Sequence, residues 1–317
     1  MVFVRVNSPD EWRARFGEDG RPSVVTIGNF DGVHLGHQAI LRGVIERADI
    51  THSMPAVLTF FPHPARVLRP AHAPALLATL DQRLAAFSEG GIEAALVLKF
   101  DCELAQVTPK DFVQRYVVET MRARAVLVGR NFRFGYKQAG DVDLLRELGK
   151  RWSFEVEIVP PVTVDGIVVS SSAVREAVRD GRMEDARKLL GRSYALAGEI
   201  RAGSGLGRKL IVPTLNLATQ QELLPRLGVY ATEVILDGRA YRAATNVGVR
   251  PTFDGAHTTI ESHLLEFSET RTGGAMEVRF WSRLRDEKKF SGPDPLREQV
   301  LKDIERAREY FQVTDKA

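Results

Sequence analysis

The chain is poor in cysteine: its 317 residues contain one, Cys102. A single thiol excludes an internal disulfide and any Cys-based zinc centre, and is expected to be a small buried apolar residue. One-sided charge is missing as well. Lys and Arg number 44 against 41 Asp and Glu, a net charge of +3 at pH 7. Neither half, divided near residue 190, is far from neutral. Broad binding of nucleic acid through a basic face is therefore not expected, although a local anion site is compatible with these numbers. No apolar run reaches the roughly 18 residues that would span a bilayer. The start, MVFVRVNSPDEW, lacks the basic and apolar regions of a secretory signal. These absences predict a cytoplasmic protein with no membrane partner. What is present is ordinary for a globular chain, with 44% hydrophobic and 27% charged residues. At about 150 residues per domain, the length predicts two domains.

The first part alternates apolar runs with helical patterns. Ser23–Phe30, Pro55–Phe61, Ala94–Phe100, Arg124–Gly129 and Phe154–Val159 are rich in Val, Ile, Leu and Phe. They mostly lack a period-2 polar face, which predicts strands buried on both sides of a parallel sheet. Helical patterns at Gly36–Ala48, Asp81–Glu89, Pro109–Met121 and Asp141–Lys150 lie between them, with Thr108 placed to cap the third. The alternation predicts a doubly wound α/β domain. Two further helices, near Ala173–Asp180 and Met183–Leu190, close this part. After Gly191, strand-like runs follow one another: Tyr194–Ile200, Val229–Leu236, Tyr241–Val247, Thr259–Phe267 and Met276–Trp281. Asp237-Gly238 reads as a hairpin turn. A small antiparallel barrel is predicted, followed by an amphipathic helix from about Asp294. Its packing face is read as Leu296, Val300, Leu301, Ile304, Ala307 and Phe311, with Glu298 and Lys302 as an i,i+4 pair.

Gly28-Asn29-Phe30-Asp31-Gly32-Val33-His34-Leu35-Gly36-His37 is the most informative segment. It leaves a buried strand and enters a helix, where open α/β sheets bind ligands. Its glycines let a ligand approach the backbone. His34 and His37, three apart, can point the same way. Free N–H groups and the positive helix end favour an anion there, and two imidazole donors suit a phosphate. Capping by one histidine, or metal binding by His34, His37 and His63, are the competing readings. Phe60-Phe61-Pro62-His63-Pro64 ends the second strand and brings a histidine to the same crevice. Gly129-Arg130-Asn131-Phe132-Arg133-Phe134-Gly135 offers polar groups among aromatics, suited to a purine or flavin ring. Ser170-Ser171-Ser172-Ala173-Val174-Arg175 opens a helix, either as a plain cap or as a phosphate contact.

In the second part, Gly203-Ser204-Gly205-Leu206-Gly207-Arg208-Lys209 is a basic glycine-rich loop, which alone would read as a hairpin connection. Pro213-Thr214-Leu215-Asn216 follows. Thr214 and Asn216, two apart on an extended chain, face the same way and offer hard oxygens suited to Mg²⁺. Glu261 and His263 share one face of a strand. Glu261 is either a solvated outward carboxylate or a proton acceptor for a hydroxyl attacking a γ-phosphate.

Taken in order, the G-x-F-D-G-x-H-x-G-H, F-x-P-H-P, G-x-N-F-x-F-G and S-S-S-x-V-R runs resemble the adenylyltransferase module of the bacterial bifunctional riboflavin kinase/FAD synthetase family. The P-T-x-N and E-x-H runs resemble its riboflavin kinase module, a six-stranded barrel. The resemblance extends from about residue 23 to 311. It implies a nucleotidyltransferase-type α/β domain over residues 1–188 and a kinase barrel over 189–317. It implies that His34 and His37 handle the ATP phosphates in catalysis and that Glu261 is the kinase's general base. Gly28, Phe30, Asp31, Gly36, His63, Ser171, Ser172 and Arg175 are the implied ATP contacts of the first domain. Gly205, Gly207 and Arg208 are those of the second. Asn131, Arg133 and Arg285 would contact flavin, and Thr214 and Asn216 would hold Mg²⁺. ATP, riboflavin and FMN would be the substrates, with no nucleic-acid partner and a monomeric or weakly associating chain. Departures occur at Ile211-Val212 and at Leu215, whose bulk is expected beside the metal ligands, and over Thr270–Ala275, where the family's Tyr is missing. A monofunctional adenylyltransferase with a weak or inactive barrel, and a flavin-binding protein without turnover, are the alternatives.

Overall fold

The Val- and Leu-rich runs of the first part form one parallel sheet whose central strands bury both of their faces. In the computed structural model, residues 2–17, 20–201, 212–252, 255–267, 269 and 271–314 are described. Packing divides them after Ser170 into two units.

The first unit opens with β1 (Val4–Val6) and α1 (Pro9–Phe16), then β2 (Ser23–Ile27), α2 (Leu35–Ile50) and β3 (Met54–Phe61). Next come α3 (Pro64–Leu68), α4 (Leu80–Glu89), β4 (Ala94–Lys99) and α5 (Pro109–Phe112). β5 (Ala123–Gly129), α6 (Val142–Trp152) and β6 (Glu155–Val159) complete the sheet, and β7 (Thr163–Val164) pairs with β8 (Ile167–Val168) as a small hairpin. The sheet order is β1-β4-β3-β2-β5-β6, parallel throughout. Val24, Val57, Ala95 and Leu127 face Leu41 and Val44 of α2 and Leu84 and Phe87 of α4. Their neighbours Val25, Leu58, Leu96 and Val126 face Val113, Val117 and Leu145 on the other side. Consecutive residues thus enter different cores, and this is why the runs show no polar alternation.

The expected helix over Pro109–Met121 begins as α5, with Thr108 Oγ1 accepting from Asp111 N. It then widens into a π-helix over Val113–Thr120, and Met121 N reaches back five residues to Tyr116 O. β1, α1 and the small hairpin were not expected. β1 has three residues, and α1 buries one side chain, Trp12, so neither makes an apolar pattern long enough to read. Cys102 is exposed, contrary to expectation, because it sits in the turn after β4 rather than in the core.

The second unit contains α7 (Ser171–Asp180), α8 (Met183–Leu190), β9 (Tyr194–Arg201), β10 (Leu215–Thr219) and β11 (Gly228–Leu236). β12 (Arg239–Thr252), β13 (Gly255–Leu264), β14 (Ala275–Asp286) and α9 (Pro293–Thr314) follow. The strands close into a barrel in the order β10-β13-β12-β11-β14-β9. Asp237 and Gly238 both take positive φ, 49° and 77°, the two left-handed residues of a tight hairpin. Tyr230, Phe280, Leu196 and Val278 fill the interior without measurable exposure. A chain of hydroxyls crosses that interior, with Thr232 Oγ1 2.6 Å from Thr245 Oγ1 and Thr245 Oγ1 2.8 Å from Ser262 Oγ. Outside, α9 packs Ile304, Ala307 and Phe311 on Ala231 and Ala244. Leu301, expected on this face, is 50% exposed. Asp303 is buried there instead, for a reason found on β14.

Candidate functional site

In the first unit, the strands β2, β3 and β4 step across the sheet in one direction, and β5 returns to the free side of β2. The crevice of a doubly wound sheet lies where that order reverses, beyond the strands' C-terminal ends. The β2–α2 turn is tightly built. Phe30 and Val33 take positive φ, 52° and 40°, a conformation that side chains rarely adopt. Both side chains are buried and Val33 N donates to Phe30 O, so packing and one hydrogen bond hold the turn. Gly32, with φ 82°, lies where a Cβ would meet Leu77 Cδ1 at 2.8 Å. Asp31 is 4% exposed, and its Oδ1 accepts from Leu77 N and Ala78 N. Its carboxylate therefore anchors the turn to the segment that leads into α4.

His34 caps α2, its Nδ1 accepting from His37 N at 3.3 Å. The capping alternative is thus correct as far as Nδ1 is concerned. Because Nδ1 accepts, the proton of the neutral ring sits on Nε2, which becomes a donor. The His34 and His37 rings stack at 3.7 Å between centroids, and Phe30 meets His37 edge-on at 5.1 Å. Burial first, and the neighbouring His34 second, hold the His37 pKa well below 6.5. His37 Nδ1 is shut off from solvent with no partner among the described residues. Gly36 admits the stack, since a Cβ there would meet the His34 ring at 3.2 Å. His63 repeats the pattern at the end of β3: it caps α3, and its Nδ1 accepts from Ala65 N at 3.2 Å. Among the described residues, no group of three or more His, Cys, Asp or Glu side chains is arranged to hold a metal, so the histidine-metal reading is unsupported.

Asn131 and Arg133 follow β5 and are exposed. With Arg130, Phe132 and Asp141 they line a cleft of about 390 Å³. Arg133 pairs with Asp141 at 3.2 Å, and the Phe132 and Phe134 rings stack at 5.3 Å. Arg83 was not read from the sequence. It projects from α4 into the interior and is 2% exposed. Its Nη1 donates to Asn29 O at 2.6 Å. The available signal was one cation on the apolar stripe of Leu80, Leu84 and Phe87.

In the second unit, Ser171, Ser172 and Arg175 occupy the start of α7. Gly205, Gly207, Arg208 and Ile211 lie outside the described residues. Asn216 on β10 is directly opposite Glu261 on β13. Glu261 is in turn opposite Asn246 on β12. All three are half-buried, whereas their chain neighbours are buried, so they form a row on the barrel's outer face. His263 shares that face, and its Nδ1 lies 2.9 Å from Pro213 O, which fixes the backbone just before Thr214. Leu215 is 7% exposed and paired with Ser262, which has no exposure. Its side chain thus enters the barrel interior. The expectation that its bulk crowds Thr214 and Asn216 is corrected by strand alternation.

Beyond Asn246 the row continues through Val229 to Arg285. Arg285 grips the carboxylate of Asp303 on α9, with Nε to Oδ1 at 2.8 Å and Nη2 to Oδ2 at 2.6 Å. Its Nη1 donates to Asp286 O. Most of the guanidinium is committed to holding α9, which qualifies its expected flavin contact and explains the buried Asp303.

Together these features define a nucleotidyltransferase-type α/β unit followed by an antiparallel barrel unit. Residues 17–173 match the FAD synthetase family model and residues 190–311 the riboflavin kinase model. The bifunctional riboflavin kinase/FMN adenylyltransferase of Escherichia coli (strain K12) is 35% identical over 295 residues, covering 93% of this chain and 94% of that one. The protein of the same name from Pseudomonas fluorescens is 38% identical over 291 residues, covering 91% and 93%. The chain belongs to the bifunctional riboflavin kinase/FMN adenylyltransferase family. A crystal structure described as a macrolide-efflux protein from Streptococcus pneumoniae is also similar, with a TM-score of 0.87 and 29% identity over 97% of this chain and 99% of that one. Efflux is said of that protein. Among the described residues here, no helix is long and apolar enough to cross a membrane.

Proposed function

We propose that the chain makes flavin cofactors in two successive steps at two sites. Residues 189–317 transfer the γ-phosphoryl group of ATP to riboflavin, giving FMN and ADP. Residues 1–188 join FMN to the adenylyl part of ATP, giving FAD and pyrophosphate. The supporting observation is that each half matches the family model for one of the two reactions. Relatives named for both activities align over more than 90% of the chain. These matches favour two activities over a monofunctional enzyme or a flavin-binding protein. The family models stop at 173 and resume at 190, so most of α7 and most of α8 fall between them. The partners are small molecules, and we place the enzyme in the cytoplasm as a monomer or weak homo-oligomer.

In adenylyl transfer, an FMN phosphate oxygen attacks the α-phosphorus of ATP as the bond to pyrophosphate breaks. The nucleophile is already ionised, so the site must position and neutralise rather than deprotonate. The first N–H groups of α2, the Nε2–H of His34 and that of His63 are donors suited to phosphate oxygens. The His37 ring is held neutral. Gly28, Phe30, Asp31 and Gly36 shape the turn that carries them. Asn131 and Arg133 border the cleft after β5, where we place the flavin side, and Ser171, Ser172 and Arg175 at the start of α7 are assigned to ATP.

In the kinase reaction, the 5′-hydroxyl of riboflavin attacks the γ-phosphorus and ADP leaves. Glu261 accepts the hydroxyl proton. Thr214 and Asn216 offer the hard oxygens that Mg²⁺ takes, next to a carboxylate in register. That donor set fits the ion, which would neutralise ATP phosphate charge when bound. Gly205, Gly207 and Arg208 are assigned to the ATP phosphates, and Arg285 to the edge of the flavin site.

The test is to incubate the full chain with riboflavin, ATP and Mg²⁺ and to resolve FMN and FAD by chromatography over time. FMN should appear first and FAD after it. Formation of neither product would overturn the proposal.

A further inference from the structure

The ladder between β2 and β3 ends at Ile27 opposite Leu58, with a last bond from Gly28 N to Leu58 O at 3.1 Å. Beyond it the two chains part: β2 enters the turn that carries His34 and His37, while β3 runs on beside β4 to Phe61 before the turn that carries His63. Arg83 lies at that fork. Its Nη1 donates to Asn29 O at 2.6 Å on the β2 side and reaches Thr59 Oγ1 at 3.5 Å on the β3 side. One guanidinium thus takes the place of the next rung of the ladder. Thr59 has no exposure, and Arg83 is 2% exposed.

The same guanidinium faces the carboxylate of Asp31, whose attraction opposes the lowering of the Arg83 pKa by burial. Asp31 itself grips Leu77 N and Ala78 N, immediately before Thr79, which caps α4. The β2–α2 turn is therefore fastened to α4 twice, once through its carbonyl and once through its carboxylate. A buried guanidinium is costly to keep away from water, and its Nε has no partner among the described residues. Packing alone would be served by an apolar residue, as Leu84 and Phe87 serve it one turn along. What an apolar residue lacks is the ability to bridge two acceptors on two chains at a fixed distance.

We infer that Arg83 is a positioning residue for adenylyl transfer, setting the separation of the turn that bears His34 and His37 from the strand end that bears His63. The inference rests on the proposed adenylyltransferase site. Arg83 touches neither substrate in this role. It keeps the histidine donors where the phosphates develop charge, and a misplacement of about 1 Å costs on the order of a hundredfold in rate.

The experiment uses the full chain, with riboflavin phosphorylation as an internal measure of folded protein. In Arg83→Met, the kcat for FAD formation from FMN and ATP should fall about 10- to 100-fold, while KM values change less than about fivefold. Riboflavin phosphorylation should be unchanged. Arg83→Lys keeps the charge but carries its nitrogen on a shorter side chain without the planar fork, so it should not hold both acceptors at the same separation, and its kcat should lie between Met and wild type. A role in packing alone would lower the unfolding temperature and leave kcat per folded molecule intact, and that result in Arg83→Met overturns the inference. If Arg83→Met does not fold, Arg83→Lys decides. A kcat within about twofold of wild type there overturns the inference too. His34→Ala separates the two levels of the argument. If it retains FAD synthesis, the site itself is misassigned. If it is inactive while both Arg83 variants match wild type, only the positioning role falls.

Discussion

At the scale of single residues, the two candidate sites use opposite electrostatic means. The first holds the His37 ring neutral by burial, and the second places a half-buried carboxylate between two side-chain amides. Glu261→Gln should therefore lower riboflavin phosphorylation by about 10²- to 10⁴-fold, the usual contribution of a positioned base. FAD formation from supplied FMN should remain at the wild-type rate, and loss of both activities in folded protein would disprove the assignment. His37 makes a pH prediction. Its pKa is lowered in the folded protein by burial and by His34, so below about 6.5 the unfolded chain binds the proton first. Stability is then fully present above that pH and declines as pH falls towards the folded-state pKa. Thermal unfolding followed from pH 7.5 to 5 should show a shallower acid decline in His37→Gln than in wild type. Equal slopes would mean that His37 is not held neutral.

At the scale of elements, the join between α9 and the barrel combines an apolar seam with one buried ion pair, Arg285 with Asp303. Asp303 is 3% exposed and also accepts from Gln299 Nε2 at 3.0 Å. Removing one member of a buried pair leaves the other uncompensated, at about 3–5 kcal/mol. Asp303→Ala should thus destabilise the barrel unit by that amount in denaturant unfolding. A change under about 1 kcal/mol would show that water replaces the carboxylate. This pair also marks what the sequence hides. Strands such as β3 and β5 are legible because burial on both faces leaves long apolar runs. The turn holding His34 and His37 is legible because its glycines and histidines crowd into ten residues. Arg83 and Asp303 are not, because each is one charge on an otherwise apolar stripe, and its partner lies on a strand or turn distant in sequence. Leu215 misled for a related reason. Its neighbours in sequence are the proposed metal ligands, but strand alternation sends its side chain into the interior beside Ser262.

At the scale of the whole molecule, near-neutral overall charge fits a chain whose anion chemistry is local. Donors at one helix start, and a few oxygens on one barrel face, suffice without a basic surface. Two sites in one chain also make a separable pathway. His34→Ala should convert riboflavin to FMN and stop, because the turn's phosphate donors are impaired while the row around Glu261 is untouched. Glu261→Gln should make FAD from FMN and only traces of product from riboflavin. Neither variant alone should then carry riboflavin to FAD in more than traces. Mixed in equal amounts with riboflavin, ATP and Mg²⁺, they should do so together, because FMN released by the first is substrate for the second. FAD should appear after a lag, during which free FMN accumulates, and added FMN should abolish the lag. A mixture that accumulates FMN without forming FAD would show that the adenylyltransferase site does not accept FMN from solution. A mixture that forms no FMN would instead show that His34 also serves the kinase, and the assignment of one reaction to each half would be wrong.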